Sequence, residues 1–442
     1  MNNNSPSTVY SLHWPSLAQC VLSVLAIFSC WGLALLVLAV GAYDLASGGN
    51  AGMNTISLFV FALSNLVSGF LALPSAAYSL ARLLKRPISL PDWLRSPHLA
   101  WVPPALFIIV FPLLIFMGDR ASKAETLAWL QLPPVHILAA AVPILFFIFL
   151  GRRKLPVGSP QRAWGVFASG LVLGPLIMLC LELAAFAVLF IILLIYISSQ
   201  PGLVQELSLL IQPYAPPPID AVSRVMQPYL LRPVFIFGVF AFVAGLVPLI
   251  EEIFKPVGVW LLVGFDLSPA EGFTAGLISG TGYALFENFL VSGVGGDWAV
   301  TMSIRVGTSL LHVTTAGLMG WALAVAWRKK RYWILVLGYL LAVLLHAAWN
   351  TVAMLTAVPS LPLLTGYPET VLRPVGVVAY VLLGFLAVSL FVILIGSNRF
   401  LRRGEKVLIQ PSPVLPDGVQ ERAEISGESA TRSADASNSL SD

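Results

Sequence analysis

The chain carries repeated apolar runs of more than eighteen residues, too long for the strands or core helices of a soluble domain and long enough to cross a bilayer as helices. Backbone that faces lipid must satisfy its own hydrogen bonds, so only helices or closed barrels can span. No alternating ten-residue strand pattern appears, and the expected fold class is an all-α, polytopic transmembrane helical bundle. Ten spans are expected, at roughly 17–42, 56–81, 99–118, 132–151, 166–197, 233–264, 268–290, 299–327, 332–357 and 373–396. Of the 442 residues 58% are hydrophobic and 10% charged, which makes the position of each charge informative.

Basic residues set the direction of the spans. Arg82, Lys85, Arg86 and Arg95 follow the second span, and Arg152, Arg153, Lys154 and Arg162 the fourth. Arg328, Lys329, Lys330 and Arg331 follow the eighth, and Arg399, Arg402, Arg403 and Lys406 the tenth. Arg120, Lys123, Arg224, Arg232, Arg305 and Arg373 lie at or near the other side. Cytoplasmic loops are the basic ones, so both termini are expected in the cytoplasm of a multi-pass protein of the cell membrane. The net charge of +4 then reflects orientation, and no motif or aromatic-interleaved basic patch points to nucleic acid.

The polar stretch 1–16 lacks Lys and Arg, so the first span is read as retained rather than as a signal peptide. Cys20, Cys30 and Cys180 all fall in expected spans, without disulfide or zinc-pair spacing, and are read as packing residues. The chain divides into an N-terminal four-span region (1–160), a fifth span with a Pro-rich, outward-facing loop (161–232), a membrane core (233–360), a last span with a basic cytoplasmic end (361–406) and a disordered tail (407–442). The tail, rich in Ser, Pro, Ala and Glu, cannot offset its ordering entropy by burial. No internal repeat supports an inverted-repeat transporter plan.

Ionisable residues at mid-membrane cost about 2.5 to 3.5 kcal/mol each on insertion scales, so those present face a bundle interior and do something. Glu251 and Glu252 in "EEIFK" stand about 100° apart on a helix, with Lys255 able to stack over either carboxylate and Pro256 weakening the helix just beyond. In the next span Gly272, Gly276 and Gly280 recur every fourth residue, a stripe that lets another helix approach, and Glu287 lies on the same face with Asn288 to orient it. His312 and His346 lie near the middle of the two following spans, and Asn350 stands one turn after His346, suited to holding the imidazole or a substrate carbonyl. Two His and one Glu with an open position for water form a common hydrolytic zinc set, with a further Glu available as general base against a peptide carbonyl. Glu182 is read as a structural ion partner, Arg305 as an interfacial anchor, and His13, His98 and His136 as residues of loops or span ends.

Four boxes, "EEIFK" at 251–255, "GTGYALFENF" at 280–289, "HVTTAG" at 312–317 and "HAAWN" at 346–350, resemble the PrsW family of intramembrane metalloproteases over approximately residues 233–360. More distantly they are similar to the CAAX prenyl endopeptidase and Abi superfamily. The resemblance implies an intramembrane endopeptidase that cuts a membrane-anchored protein, as PrsW proteins cut an anti-sigma factor on its outward side to start signalling. It implies Glu251 and Glu252 as catalytic, one of them general base, with Lys255 and Asn350 beside them, and Glu287, His312 and His346 as the set that holds zinc or water. The CAAX enzymes have a His where this chain has Glu287 and an Arg where it has Lys255; in that superfamily a Glu and His pair can activate water without metal. Processing of lipid-modified C-termini, an ion- or proton-coupled transporter and a non-catalytic scaffold are the alternatives; the nearly charge-free early spans count against the transporter and the intact boxes against the scaffold. The substrate and the oligomeric state are not legible in the sequence.

The charge placement makes a topology prediction. Reporter domains inserted after Lys154 and after Lys330 should both read as cytoplasmic, and one inserted at 211–218 as external, in a protease-protection assay.

Overall fold

The computed structural model describes residues 13–48, 55–86, 88, 97–124, 127–210, 219–291, 298–361, 364 and 368–409, and every secondary-structure element among them is helical. The described residues up to Asn398 form one compact unit and those from Arg399 a second. Nine described helices are long and apolar enough to cross a membrane. These are α1 (Trp14–Ala46), α2 (Thr55–Leu83), α3 (Leu99–Ser122), α4 (Ala128–Arg152), α5 (Pro160–Ser198), α8 (Pro233–Trp260), α10 (Trp298–Lys329), α11 (Tyr332–Ser360) and α12, apolar over Glu369–Gly404 and helical to Ile409. Two short helices, α6 (Pro201–Leu210) and α7 (Ile219–Leu230), occupy much of the Pro-rich segment between α5 and α8. Of the expected tail, 407–409 continue α12 and 410–442 lie outside the described residues.

The remaining expected span, the seventh at 268–290, is α9 (Pro269–Leu290), whose Gly, Ser and Thr residues keep it out of the strongly apolar set. Its 22 residues rise about 33 Å. It needs no lipid-facing coat, because residues 272–285 are all buried, as are 307–317 of α10 beside it. Its start is well defined: Ser268 and Glu271 form a reciprocal capping box, Pro269 takes the first turn, and Arg162 of α5 donates to Glu271 at 2.6 Å.

Small residues determine how closely α9 and α10 approach. A methyl group at Gly276 would lie 2.1 Å from the Ala316 carbonyl oxygen, one at Gly320 would lie 2.2 Å from that of Gly272, and one at Gly280 would lie 2.6 Å from that of His312. The expected stripe is therefore the contact line of α9 with α10, and its upper end meets the backbone of a candidate site residue. The opposite side of α9 packs as tightly on a π-turn of α5 (Ser169–Leu173): a methyl at Gly170 would lie 2.1 Å from Ser279 O.

α8 is not a uniform rod. A π-turn (Ala241–Leu246) precedes one regular segment (Val247–Phe254), which stops at Lys255 and Pro256 before a last short turn (Val257–Trp260). Proline cannot donate its backbone N–H and clashes with the preceding turn, so the break falls where the sequence places it.

Gly276→Ala should cost about 1 to 3 kcal/mol by overpacking the α9–α10 line. Gly32→Ala, where nothing lies within 4 Å of the added methyl, should be neutral or slightly stabilising; denaturant unfolding in detergent reads both.

Candidate active site

The regular segment of α8 is held by side chains from its neighbours. Asn350 of α11 donates from Nδ2 to Val243 O in the π-turn at 2.9 Å, and the Tyr339 hydroxyl donates to Leu249 O at 2.8 Å. Ser279 of α9 donates to Lys255 O at 2.6 Å. These bonds tie the π-turn, the regular segment and the Pro256 break to the neighbouring helices, and π-turns of this kind gather at functional sites.

That support holds two carboxylates in different settings. Glu252 is wholly buried; its Oε1 accepts from Lys255 Nζ at 2.6 Å and lies 2.9 Å from His346 Nδ1. Lys255, also wholly buried, stands 3.2 Å from Glu251 Oε2, 3.1 Å from His346 Nδ1 and 5.2 Å from the centre of the Tyr283 ring. One ammonium therefore serves two carboxylates and an aromatic face. A His346 Nδ1–H donated to Glu252 leaves the Nε2 lone pair on the side of Glu251, whose Oε2 lies 3.9 Å away. Apart from the Lys255 ion pair of Glu251, neither Glu251 Oε2 nor Glu252 Oε2 has a hydrogen-bond partner among the described residues.

On the facing helices, Glu287 of α9 meets His312 of α10 through its Oε2 and the imidazole Nε2. The His312 ring stands edge-on to Tyr283 at 4.9 Å and to His346 at 5.5 Å between centroids, so the two halves of the cluster adjoin. Glu251, Glu252, Lys255, Glu287, His312 and His346 are thus brought together from four helices. Asn350 is placed to anchor the π-turn rather than to hold His346.

The donor chemistry suits a divalent cation. Glu287 Oε2 and His312 Nε2 face each other, Glu251 Oε2 faces Lys255 and His346, and His312 Nδ1 is buried without a hydrogen-bond partner among the described residues; imidazole with carboxylate is a zinc-type set. His346 bonded to Glu252 through its other nitrogen matches the way metal-bound imidazoles are oriented. Among the described residues the groups stand as two pairs, Glu287 with His312 and Glu251 with His346, and no three His, Cys, Asp or Glu side chains gather tightly enough to hold an ion in this conformation.

Three expectations change. Arg305 is no interfacial anchor: it donates from Nη1 to Glu287 Oε1 and from Nε to Asn288 Oδ1, each at 2.8 Å. Its signal in the sequence was its spacing, seven residues or two turns before His312 on one face of α10. His136 lies not at a span end but fully buried inside α4, 3.0 Å from Asn288 O, with Trp298 donating to its other nitrogen at 3.3 Å. Glu182 forms no ion pair among the described residues, and its Oε1 is buried without a partner.

Lys255→Met should cost about 3 to 5 kcal/mol, because it leaves buried carboxylates unpaired. The double variant Lys255→Met/Glu252→Gln should recover most of that loss in a denaturant titration.

No curated protein and no solved structure matches the chain. A family model, described as PrsW family intramembrane metalloprotease, matches residues 163–388, just over half of the chain, and reaches beyond the four boxes on both sides to include α5. The chain therefore belongs to the PrsW family of intramembrane metalloproteases.

Proposed function

We propose that this membrane protease hydrolyses a peptide bond of a membrane-anchored protein at the Glu251–Glu252–His346 and Glu287–His312 cluster. The observation that carries the reading is the unequal setting of the two adjacent carboxylates. Glu252 is bonded to Lys255 at 2.6 Å and to His346 at 2.9 Å, whereas Glu251 meets Lys255 at the longer distance of 3.2 Å and faces His346 Nε2 at 3.9 Å. Glu251 is the general base and Glu252 the residue that orients His346 and retains Lys255.

In the proposed reaction a water molecule between Glu251 and the histidines loses a proton to Glu251 as its oxygen attacks the carbonyl carbon of the scissile bond. Glu251 then returns that proton to the departing amide nitrogen, so the carboxylate is regenerated and the two products leave as acid and amine. Lys255, fully enclosed, supplies the positive charge that both carboxylates meet in a dry interior. Glu287, His312 and His346 would hold the metal, with zinc the species their donor types suit best. When bound, zinc supplies Lewis-acid polarisation and a lowered pKa for water.

Both termini and the basic loops are placed in the cytoplasm in this proposal, which puts the segment carrying α6 and α7 on the outward side, where a single-pass substrate could be met. An anti-sigma-factor-like protein is the substrate class that the family suggests, cut to start a signalling cascade. The departures at Glu287 and Lys255 favour this over processing of lipid-modified C-termini.

Purified protein in vesicles, incubated with a pool of single-pass membrane proteins, tests the assignment. Glu251→Gln should lower the cleavage rate about 10²- to 10⁴-fold as a lost general base, and Glu252→Gln about 10- to 100-fold as a lost orienting partner. His346→Ala should abolish cleavage while the protein remains folded, and chelation should remove activity that added zinc restores. Full cleavage by Glu251→Gln overturns the role given to that residue.

A further inference from the structure

We propose that Arg305 is the positioning residue of this site: its guanidinium clamps Glu287 and Asn288 together so that a single carboxylate oxygen is presented to His312. The inference rests on the peptidase reading above for the identity of Glu287 and His312 as site residues.

A glutamate near the end of a helix has three side-chain torsions and two equivalent oxygens, so a defined contact with an imidazole on a neighbouring helix requires something to remove that freedom. Arg305 does so. Its Nη1 takes Glu287 Oε1 at 2.8 Å, which leaves only Oε2 facing His312 Nε2. Its Nε takes Asn288 Oδ1 at 2.8 Å, tying the guanidinium plane to the next residue of α9. Asn288 is fixed in turn, because its Nδ2 donates to Ser309 Oγ at 2.7 Å and its carbonyl oxygen lies 3.0 Å from His136 Nε2. Trp298 donates to the other nitrogen of His136, so that ring is held as the tautomer protonated at Nε2, which donates to Asn288 O. The clamp therefore has a rigid base in α4 and α10. It gives the N-terminal spans, outside the family match, a part in shaping the site.

The chemistry calls for arginine in particular. Two acceptors on successive residues of one helix are engaged at once by a planar fork, where a lysine ammonium would hold one strongly and the other poorly. The side chain is only 12% exposed, and its Nη2 is buried without a partner. A lipid-interface anchor would instead extend toward water and headgroups.

The test uses full-length protein labelled with ¹⁵N-histidine, the His312 ring signals being assigned with His312→Gln, together with the cleavage assay on the same samples. Arg305→Gln should move the His312 ring nitrogens toward their positions in Glu287→Gln and lower kcat about 10- to 100-fold with KM unchanged. Arg305→Lys should return both readouts part of the way. If Arg305→Gln fails to fold, Arg305→Gln/Glu287→Gln removes both charges and Arg305→Lys carries the comparison against it. His312 signals that stay at their wild-type position in folded Arg305→Gln overturn the proposal, as does Arg305→Lys that is no closer to wild type than Arg305→Gln. A wild-type protein that cleaves nothing sinks the peptidase reading alone, since the His312 signals still report whether Arg305 sets that contact.

Discussion

The Lys255 ammonium, enclosed between Glu252, Glu251, His346 and the Tyr283 ring, is the interaction on which the site depends. Two adjacent carboxylates inside a bundle repel each other and lose hydration, and a low-dielectric interior tolerates them only if a cation is close and hydrogen bonds occupy the remaining lone pairs. One lysine meets that need for both glutamates, but not equally. Glu252 holds the ammonium at 2.6 Å and Glu251 at 3.2 Å. Unequal sharing of one counter-ion thereby places a pair of identical side chains in two different settings.

The rest of the architecture serves that arrangement. Gly272, Gly276 and Gly280 bring α9 into backbone contact with α10, which places Glu287 within reach of His312 although their helices are separate elements. The π-turn and the Pro256 break isolate a short rigid segment of α8, and Asn350, Tyr339 and Ser279 tie down its carbonyls. Membrane helices cannot draw on the hydrophobic effect for association within lipid, so close packing of small residues and polar bonds between helices carry the load. Here both converge on the same four helices that bear the ionisable groups.

Much of this was legible in the chain. The length and spacing of apolar runs foretold the helical bundle, because lipid leaves the backbone few choices. The helix at the seventh expected position was found even though α9 is too polar to stand out by hydropathy, and its glycine stripe foretold a face that another helix approaches closely. Glu251, Glu252, Lys255, Glu287, His312 and His346 could be singled out because a charge or imidazole at that depth is costly without a purpose. Arg305 was misread because linear position near a span end cannot reveal whether a long side chain reaches outward or back along its helix. His136 was misjudged for a related reason: its partners, Asn288 and Trp298, lie more than a hundred residues away in sequence.

The sequence by itself determined that the chain is a polytopic helical membrane protein, which residue types form its reactive cluster, and which family it belongs to, since these follow from local composition, periodicity and short motifs. Only the tertiary structure decided how those residues are paired. Which carboxylate takes Lys255, which oxygen of Glu287 faces His312, and that Asn350 anchors a π-turn are distances between different helices or different side-chain torsions. Hydrogen bonds and ion pairs depend on such distances at the scale of a few tenths of an ångström, and a one-dimensional pattern contains no term for them.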